Sequence, residues 1–235
     1  MKFNRASFLN THRDAWVEVN LDCIEHNILE FKKYLKKDAK LFAVVKADAY
    51  GHGAVMIAPV LLASGVDFLG VSSVDEGLQL RENDITAPIL VLGAVPVWSF
   101  DRAAQNNISV SVFSDEHIEA CRQTYEKLKI KPKVHVKIDT GMNRIGVRPD
   151  KAVEFIEKIR ACDFIELEGI FTHFATAETE SYACEQYEQF KSVVDNVDTK
   201  GLLVHCCNTA AVACYKDFDY NMARSEERRV GKECR

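Results

Sequence analysis

Short apolar runs rich in β-branched residues alternate with longer amphipathic stretches along this chain, and that alternation limits the folds open to it. The runs of strand length are residues 41–47, 67–73, 88–94, 108–113, 133–139, 164–174 and 202–208. Most of the stretches between them place apolar residues at helical spacing, as at Tyr187, Phe190, Val193 and Val194. Strands that alternate with helices predict an α/β protein with a parallel sheet, either a (β/α) barrel or a doubly wound open sheet.

Polar side chains at the ends of these runs favour the barrel. Lys46, Lys137, Asp139, His173 and Asn208 stand at or near the carboxyl ends of their strands. In a barrel those ends form one mouth, where side chains from distant positions converge. The first run also lacks the GxGxxG that follows it in dinucleotide-binding open sheets. We therefore predict a (β/α)8 barrel of the TIM type, with its eighth strand missing because the chain stops where that strand should begin.

The composition excludes several other classes of protein. The chain has 235 residues, 47% of them hydrophobic, which is enough for a substantial core. Its formal net charge of -5 argues against a broad nucleic-acid-binding surface. No stretch approaches the roughly 20 apolar residues of a membrane span, and the N-terminus lacks the apolar segment of a secretory signal. We expect a soluble cytoplasmic protein with no nucleic-acid or membrane partner.

The cysteines indicate reduced thiols and no metal centre. There are eight of them, without any CxxC pair or other close ligand spacing. Without an export signal, small core residues are the expected use. Cys206 and Cys207 are adjacent, but neighbours on a strand point to opposite faces, so we do not expect them to share a ligand.

The segment AVVKADAYGHGA (43–54) carries the clearest chemistry. A lysine delivered by an apolar strand tends to lose its proton or to bond to a carbonyl, as Schiff-base chemistry requires. The alternative is that Lys46 extends its ammonium group into solvent. Tyr50 offers a phenol, and Gly51 and Gly53 allow close backbone approach, which suits an anion such as phosphate.

KADAYGHG resembles the cofactor-lysine motif of alanine racemase, a pyridoxal 5'-phosphate enzyme whose N-terminal domain is a (β/α)8 barrel. The resemblance continues, in the family's order and spacing, through VHVKIDTGMNRIGV (134–147), EGIFTHFATAE (168–178), LVHCCNTAA (203–211) and YNMAR (220–224). We assign residues 12–224 to this barrel domain. Residues 225–235, SEERRVGKECR, do not match the family, and we predict that they are foreign to the fold.

The resemblance implies a role for each matching residue. Lys46 would hold pyridoxal phosphate as an internal aldimine and act as one catalytic base, and Tyr50 would bond the phosphate. Arg144 would reach the cofactor's phenolic oxygen and the substrate carboxylate. Lys137 matches a lysine that is carbamylated in many members. From the residues alone, Lys137 and Asp139 are equally compatible with an ion pair on one face of a strand.

Four further residues match the cofactor site of the family. The resemblance places His173 near the cofactor ring, bonded to the arginine that faces the pyridine nitrogen. That arginine corresponds to Arg224, which would keep the nitrogen unprotonated and weaken the ring as an electron sink. Asn208 and Thr209 match a pair beside the cofactor. Taken alone, His173 could be a core histidine and Asn208 the cap of the next helix.

The resemblance also implies parts that this chain lacks. Ser225, Glu226 and Glu227 stand where the family has a phosphate-binding strand. The family's C-terminal β domain, which supplies a tyrosine to the partner subunit as the second base, has no counterpart here. We therefore interpret the chain as an incomplete, inactive piece of a bacterial enzyme that interconverts L- and D-alanine for peptidoglycan and is a homodimer when whole. The alternatives are a non-catalytic pyridoxal-phosphate-binding barrel and a racemase or decarboxylase for another amino acid.

Overall fold

The computed structural model of the chain describes residues 17–216, 218 and 220–226. Its architecture is the predicted alternation of strands and helices. The start of the predicted domain, residues 12–16, and the end of the predicted foreign segment, residues 227–235, lie outside the described part. Within that part, no helix is long and apolar enough to cross a membrane.

Eight parallel strands follow one another around a nearly closed (β/α)8 barrel. The strands are β1 Lys40–Val44, β2 Phe68–Val71, β3 Ile89–Val91, β4 Ile108–Val112, β5 Lys133–Lys137, β6 Glu166–Phe171, β7 Leu203–His205 and β8 Met222–Glu226. Neighbours in sequence are neighbours in the sheet, and β8 lies beside β1. The barrel was correctly predicted from the alternation and the polar strand ends.

The helices cover the outside of the barrel. They are α1 Leu21–Lys32, α3 Ala54–Ala63, α4 Val74–Glu82, α5 Phe100–Gln105, α6 Asp115–Leu128, α7 Pro149–Arg160, α8 Glu180–Val194 and α9 Thr209–Cys214. The short segment α2 Lys46–Gly51 is not a regular α-helix, because residues 47–50 have left-handed backbone angles. A main core of buried apolar residues lies between them and the strands. A smaller cluster of Phe42, Phe68, Leu90 and Met222 packs inside the barrel. The ring of Phe42 meets those of Phe68 and His205 edge-on, which links the strands across the interior.

The prediction of a missing eighth strand was wrong. Met222–Glu226 pairs in parallel with β1, in a register that runs from Lys40 opposite Met222 to Val44 opposite Glu226. The strand is hard to read from sequence because only Met222 and Ala223 are apolar. Arg224 and Ser225 are buried as well, although polar residues of this kind usually mark a surface.

A side chain and one backbone hydrogen bond close the gap between β7 and β8. Asn221 accepts a hydrogen bond from the Val204 amide at 2.7 Å and donates its own amide to the Leu202 carbonyl, also at 2.7 Å. Beyond the strand ends, the Arg224 amide donates to the Cys207 carbonyl at 3.1 Å. The amide of Asn221 therefore supplies two of the bonds that a continuous ladder would have made.

Replacing Asn221 by alanine should lower the free energy of unfolding by roughly 2 kcal/mol, because two hydrogen bonds to otherwise unpaired backbone groups are lost. Asn221→Asp should not restore the lost stability, since a carboxylate facing the Leu202 carbonyl cannot donate a hydrogen bond. Urea denaturation of both variants measures the effect. Asn196→Ala is a suitable control, because that amide only donates to the Ser192 carbonyl on an exposed helix end. Equal stability of the wild type and Asn221→Ala would contradict this account of closure.

The two adjacent cysteines do not point to opposite faces as expected. Strand β7 ends at His205, so Cys206 and Cys207 lie beyond the regular strand. Their sulfur atoms are 3.8 Å apart, and both side chains are buried. The alternation of strand faces therefore does not apply to them.

Candidate active site

The carboxyl ends of the strands bring the predicted residues to one mouth of the barrel. Lys46 follows β1, Lys137 ends β5, and Arg224 lies in β8 beside β1. His173 follows β6, and the charges of Lys46, Lys137, Arg144 and Arg224 all act on its imidazole. Five residues that are far apart in sequence thus share one electrostatic environment, as the barrel prediction requires.

The segment after Lys46 turns in an unusual way. Ala47, Asp48, Ala49 and Tyr50 all have left-handed backbone angles, with φ between 51° and 55°. Such a conformation costs a non-glycine residue about 1–2 kcal/mol. This left-handed segment brings Tyr50 back beside Lys46, whose Nζ atom lies 5.7 Å from the centroid of the phenol ring. From the sequence, only a glycine-rich turn was predicted here.

Substitution of Ala47 tests the backbone of the left-handed segment without disturbing the core, because its side chain is exposed. Ala47→Val should lower the free energy of unfolding by about 1–2 kcal/mol, since a β-branched residue fits left-handed angles poorly. Ala47→Gly should be neutral or slightly stabilising. Ala161→Val is the control, because Ala161 is also exposed but has an ordinary φ of -69°. If Ala47→Val and Ala161→Val lower the free energy of unfolding equally, the assignment of left-handed angles to Ala47 is contradicted.

Lys137 is buried at the end of β5, with 2% of its surface exposed. Burial lowers its pKa to about 7; the attraction of Asp139 opposes this shift, and Arg224 and Arg144 add to it. Its Nζ atom donates to the Ile138 carbonyl at 2.7 Å. At neutral pH a large fraction of this lysine is a neutral amine.

The carboxylate of Asp139 holds the loop that leads to Arg144. It accepts hydrogen bonds from the amides of Gly141 at 3.2 Å and Asn143 at 3.0 Å. The nearby Lys137 Nζ atom donates to the backbone carbonyl of Ile138. Asp139 therefore organises the loop through backbone amides, and Lys137 does not form with it the direct ion pair considered from the sequence.

His173 and Arg224 are hydrogen-bonded to each other, with the guanidinium Nη2 atom against the imidazole Nδ1 atom. Burial and the positive charge of Arg224 are the two largest causes that lower the pKa of His173 to about 2. The imidazole is therefore neutral at physiological pH, and its Nδ1 atom accepts from the guanidinium. Arg224 is itself buried, at 4% exposure, so this bond fixes the direction of its side chain.

Asn208 and Thr209 lie where β7 gives way to α9. The side-chain oxygen of Asn208 accepts from the Ala211 amide at 3.0 Å and caps the helix. This is the capping role considered from the sequence. The side-chain nitrogen of Asn208 takes no part in this cap and can only donate.

The barrel interior contains a polar chain that the sequence did not reveal. Glu168 accepts from the Ser109 hydroxyl at 2.5 Å and contacts His135 Nε2 at 3.0 Å, and His135 Nδ1 lies 3.3 Å from His205 Nε2. Burial opposes ionisation of Glu168, but the hydrogen bonds from His135 and Ser109 lower its pKa overall. Burial keeps the pKa of His205 well below its ordinary value. His135 and Lys137 are two residues apart on β5 and so share one face of the strand. This spacing was the available signal that the inner face of β5 is polar.

Comparison with known proteins decides the family. The model of the family described as alanine racemase, N-terminal domain, matches residues 19–225. The chain belongs to the alanine racemase family. It is 41% identical over 222 residues to alanine racemase 1 of Oceanobacillus iheyensis, covering 92% of this chain and 59% of that protein. It therefore spans about three fifths of the length of this relative.

Solved structures agree with this membership of the alanine racemase family. An alanine racemase from Clostridium difficile superposes with a TM-score of 0.88 at 39% identity, over 92% of this chain and 58% of the other. A histidine racemase from Leuconostoc mesenteroides is also similar, with a TM-score of 0.84 at 28% identity, over 92% of this chain and 59% of the other. The similarity in shape thus extends to a racemase named for another substrate.

The residues at the mouth fit the pyridoxal phosphate that the alanine racemase family implies. Lys46, Arg144 and Arg224 bring positive charge to one place, around a neutral His173. A ligand that carries a phosphate would balance this charge. Lys46 offers an amine that can bond to an aldehyde, with a phenol beside it. Amine, phenol and guanidinium groups are the donor set that such a cofactor needs.

Proposed function

We propose that the full-length protein containing this chain interconverts L- and D-alanine with pyridoxal 5'-phosphate held on Lys46. The observation that supports this proposal best is the convergence of Lys46, Arg144, Arg224 and His173 at one mouth of the barrel. The names of the relatives point to the same reaction.

The cofactor would supply an electron sink that acidifies the substrate α-hydrogen. The amine of Lys46 would hold the cofactor covalently and move the proton on one face of the substrate Cα atom. Tyr50 and Thr209 would donate hydrogen bonds to the phosphate, with Asn208 beside them. Arg144 would bind the substrate carboxylate and the cofactor's phenolic oxygen through its planar fork of donors.

Arg224 would face the pyridine nitrogen. A guanidinium group gives up a proton only above pH 12, so it would leave that nitrogen unprotonated and limit how much charge the ring withdraws. The hydrogen bond to His173 prepares this orientation, because the neutral imidazole accepts from Arg224. A ring that withdraws less charge would favour simple proton exchange over side reactions at the substrate Cα atom.

A second base is needed on the opposite face of the substrate. We place it in the region that the relatives carry beyond the matched part, supplied by the partner subunit of a homodimer. A polypeptide of these 235 residues alone is accordingly proposed to bind the cofactor without racemising alanine. The setting we propose is the bacterial cytoplasm, where D-alanine enters peptidoglycan precursors.

The burial of Lys137 supports its proposed carbamylation, because carbon dioxide reacts with a neutral amine and its pKa is about 7. A carbamate would carry a negative charge toward Arg144 and Arg224 and so orient them. Carbon-13 NMR in labelled bicarbonate should show a carbamate signal that Lys137→Met abolishes. The same signal in both proteins would refute the assignment to Lys137.

Substrate choice is the part of the proposal that needs a direct assay, since a similar structure belongs to a histidine racemase. Exchange of the α-hydrogen in deuterium oxide should be measured for the full-length protein with alanine, serine, lysine and histidine. We expect kcat/KM for alanine to exceed each of the others at least tenfold. A preference for histidine or lysine would replace alanine as the substrate and leave the cofactor assignment intact.

A further inference from the structure

Glu76 on α4 connects the segment after Lys46 to the end of β2. One carboxylate oxygen, Oε1, accepts from the Ala47 amide at 2.8 Å. The other, Oε2, accepts from the Ser72 amide at 2.7 Å and from the Ser72 hydroxyl at 2.9 Å. Both oxygens are therefore engaged, and together they join two neighbouring loops at the mouth of the barrel.

The contact between Glu76 and the Ala47 amide lies directly beside Lys46. Ala47 is the first residue of the left-handed segment and the immediate neighbour of Lys46. On the other side of Lys46, the Val45 amide donates to the Gly70 carbonyl of β2 at 2.7 Å. Lys46 is thus held between two backbone contacts, and the second of them depends on a side chain.

The left-handed segment needs such support, because its four non-glycine residues adopt an unfavourable conformation. The Ala47 amide belongs to the peptide group that joins Lys46 to Ala47, so a partner on this amide fixes the direction in which the chain leaves Lys46 and enters the left-handed segment. A carboxylate that accepts from this amide stabilises that direction, since hydrogen bonds to ionised groups are stronger than those between neutral groups. Asp48 adds a second contact further along, where its Oδ1 atom accepts from the Ala54 amide at 2.7 Å.

We propose that Glu76 is a positioning residue, which sets the place of the Lys46 amine and the Tyr50 phenol through the backbone of the left-handed segment. The consequence for cofactor attachment rests on the proposed function; the placement of the Lys46 amine does not. Glu76 acts on Lys46 through the backbone amide of Ala47.

The chemistry of the contact predicts that glutamine cannot replace glutamate here. Each carboxylate oxygen faces an N–H group, so both must accept. A glutamine side chain has one oxygen, and its NH₂ group would face an amide donor on one of the two sides. Glu76→Gln should therefore behave like a loss of the contact, in spite of its nearly identical shape.

Two control variants separate positioning from stability. Ser73→Ala removes the N-cap of the same helix, which Ser73 provides to the Glu76 amide at 3.3 Å, and should lower the stability of the protein. Its loss leaves the carboxylate contacts of Glu76 in place. Glu82→Gln removes the same charge from the other end of the same helix, where the side chain is exposed.

The first measurement is the equilibrium affinity of each variant of the full chain for pyridoxal phosphate, with borohydride trapping of the bound cofactor. Glu76→Gln should weaken the affinity at least tenfold and reduce the trapped fraction. Ser73→Ala should lower the melting temperature while keeping the wild-type affinity, and Glu82→Gln should change neither. Wild-type affinity and trapping in Glu76→Gln would overturn the inference.

The second measurement needs no cofactor. It therefore still tests the inference if the wild type traps no pyridoxal phosphate, a result that would count against the proposed function alone. Limiting acetic anhydride labels lysine amines, and peptide mass spectrometry gives the rate at Lys46 relative to the exposed Lys40. Glu76→Gln should change this ratio at least threefold, and Ser73→Ala and Glu82→Gln should leave it as in the wild type. An unchanged ratio in Glu76→Gln would show that Glu76 does not position Lys46.

Discussion

Lys46→Arg should lower the interconversion of L- and D-alanine by the full-length protein at least about 10³-fold. Arginine keeps the positive charge and much of the length of the side chain. It cannot form the covalent bond to the cofactor aldehyde, and its guanidinium group cannot take a proton at neutral pH. Both roles proposed for Lys46 are therefore lost together. Chiral chromatography of alanine incubated with each protein measures the loss.

Lys40→Arg is the matched control, because Lys40 begins the same strand but is exposed at the opposite end of the barrel. It should retain activity within a factor of about two. Circular dichroism of both variants should match the wild type, since the side chain of Lys46 is only half-buried and packs in no core cluster. Substantial racemisation by Lys46→Arg would mean that another group attaches the cofactor.

Lys137→Met should make the cofactor-free chain more stable at pH 7, which is opposite to the usual effect of a core substitution. Burial moves the pKa of Lys137 from 10.5 to about 7, so the folded state disfavours its charged form. One pKa unit corresponds to about 1.4 kcal/mol, so removing the amine should raise the free energy of unfolding by at most roughly 4 kcal/mol. Methionine has a similar length and adapts to irregular packing. Urea denaturation in buffer free of carbon dioxide measures the difference.

The sign of the pH dependence follows from the same pKa. Between pH 7 and 10.5 the unfolded chain holds a proton on Lys137 that the folded chain lacks, so the stability of the wild type rises with pH across this window. The extra stability of Lys137→Met relative to the wild type should be largest below pH 7 and should disappear toward pH 10.5. Lys133→Met, at the other end of the same strand, should change stability by no more than about 1 kcal/mol, because its contact with Glu166 is a surface ion pair of 4.0 Å. If Lys137→Met is less stable than the wild type at pH 7, the lowered pKa of the buried Lys137 amine is contradicted.

If this result holds, Lys137 is retained at a cost in stability. Such a residue is expected at a functional site, where groups are kept in environments that disfavour their ordinary charge state. The same reasoning applies to the left-handed segment after Lys46, where strained backbone lies beside the proposed reactive amine.

The sequence could predict the barrel because its signals are local and repeated. Each strand run and each helical stretch has its own periodicity, and the polar strand ends mark a common mouth. β8 was missed because Arg224 and Ser225 are polar residues buried in the barrel, so the strand shows no alternation. The position of Cys206 and Cys207 was also mispredicted, since the end of β7 at His205 depends on tertiary pairing and not on the local residues.

The motifs named the candidate site residues, and they did not reveal the contacts between them. The motifs named Lys46, Lys137, Arg144, His173 and Arg224, and the structure gathers them at one mouth. The contacts of Glu76 with Ala47, and of Glu168 with His135, join residues 29 and 33 positions apart. No spacing rule connects such residues, because their proximity arises from the closure of the barrel.

The left-handed backbone was also beyond prediction. Alanine and tyrosine rarely adopt φ near +50°, and aspartate does so only as a single residue, so the neighbouring contacts must impose a run of four.

Borohydride reduction of the chain with bound pyridoxal phosphate, followed by peptide mass mapping, tests the central claim most directly. The account predicts that the reduced cofactor is found on the peptide that contains Lys46, and that the buried Lys137 is unlabelled. Attachment to a different lysine, or no attachment to a chain that is folded by circular dichroism, would contradict the assignment of this mouth as a cofactor site.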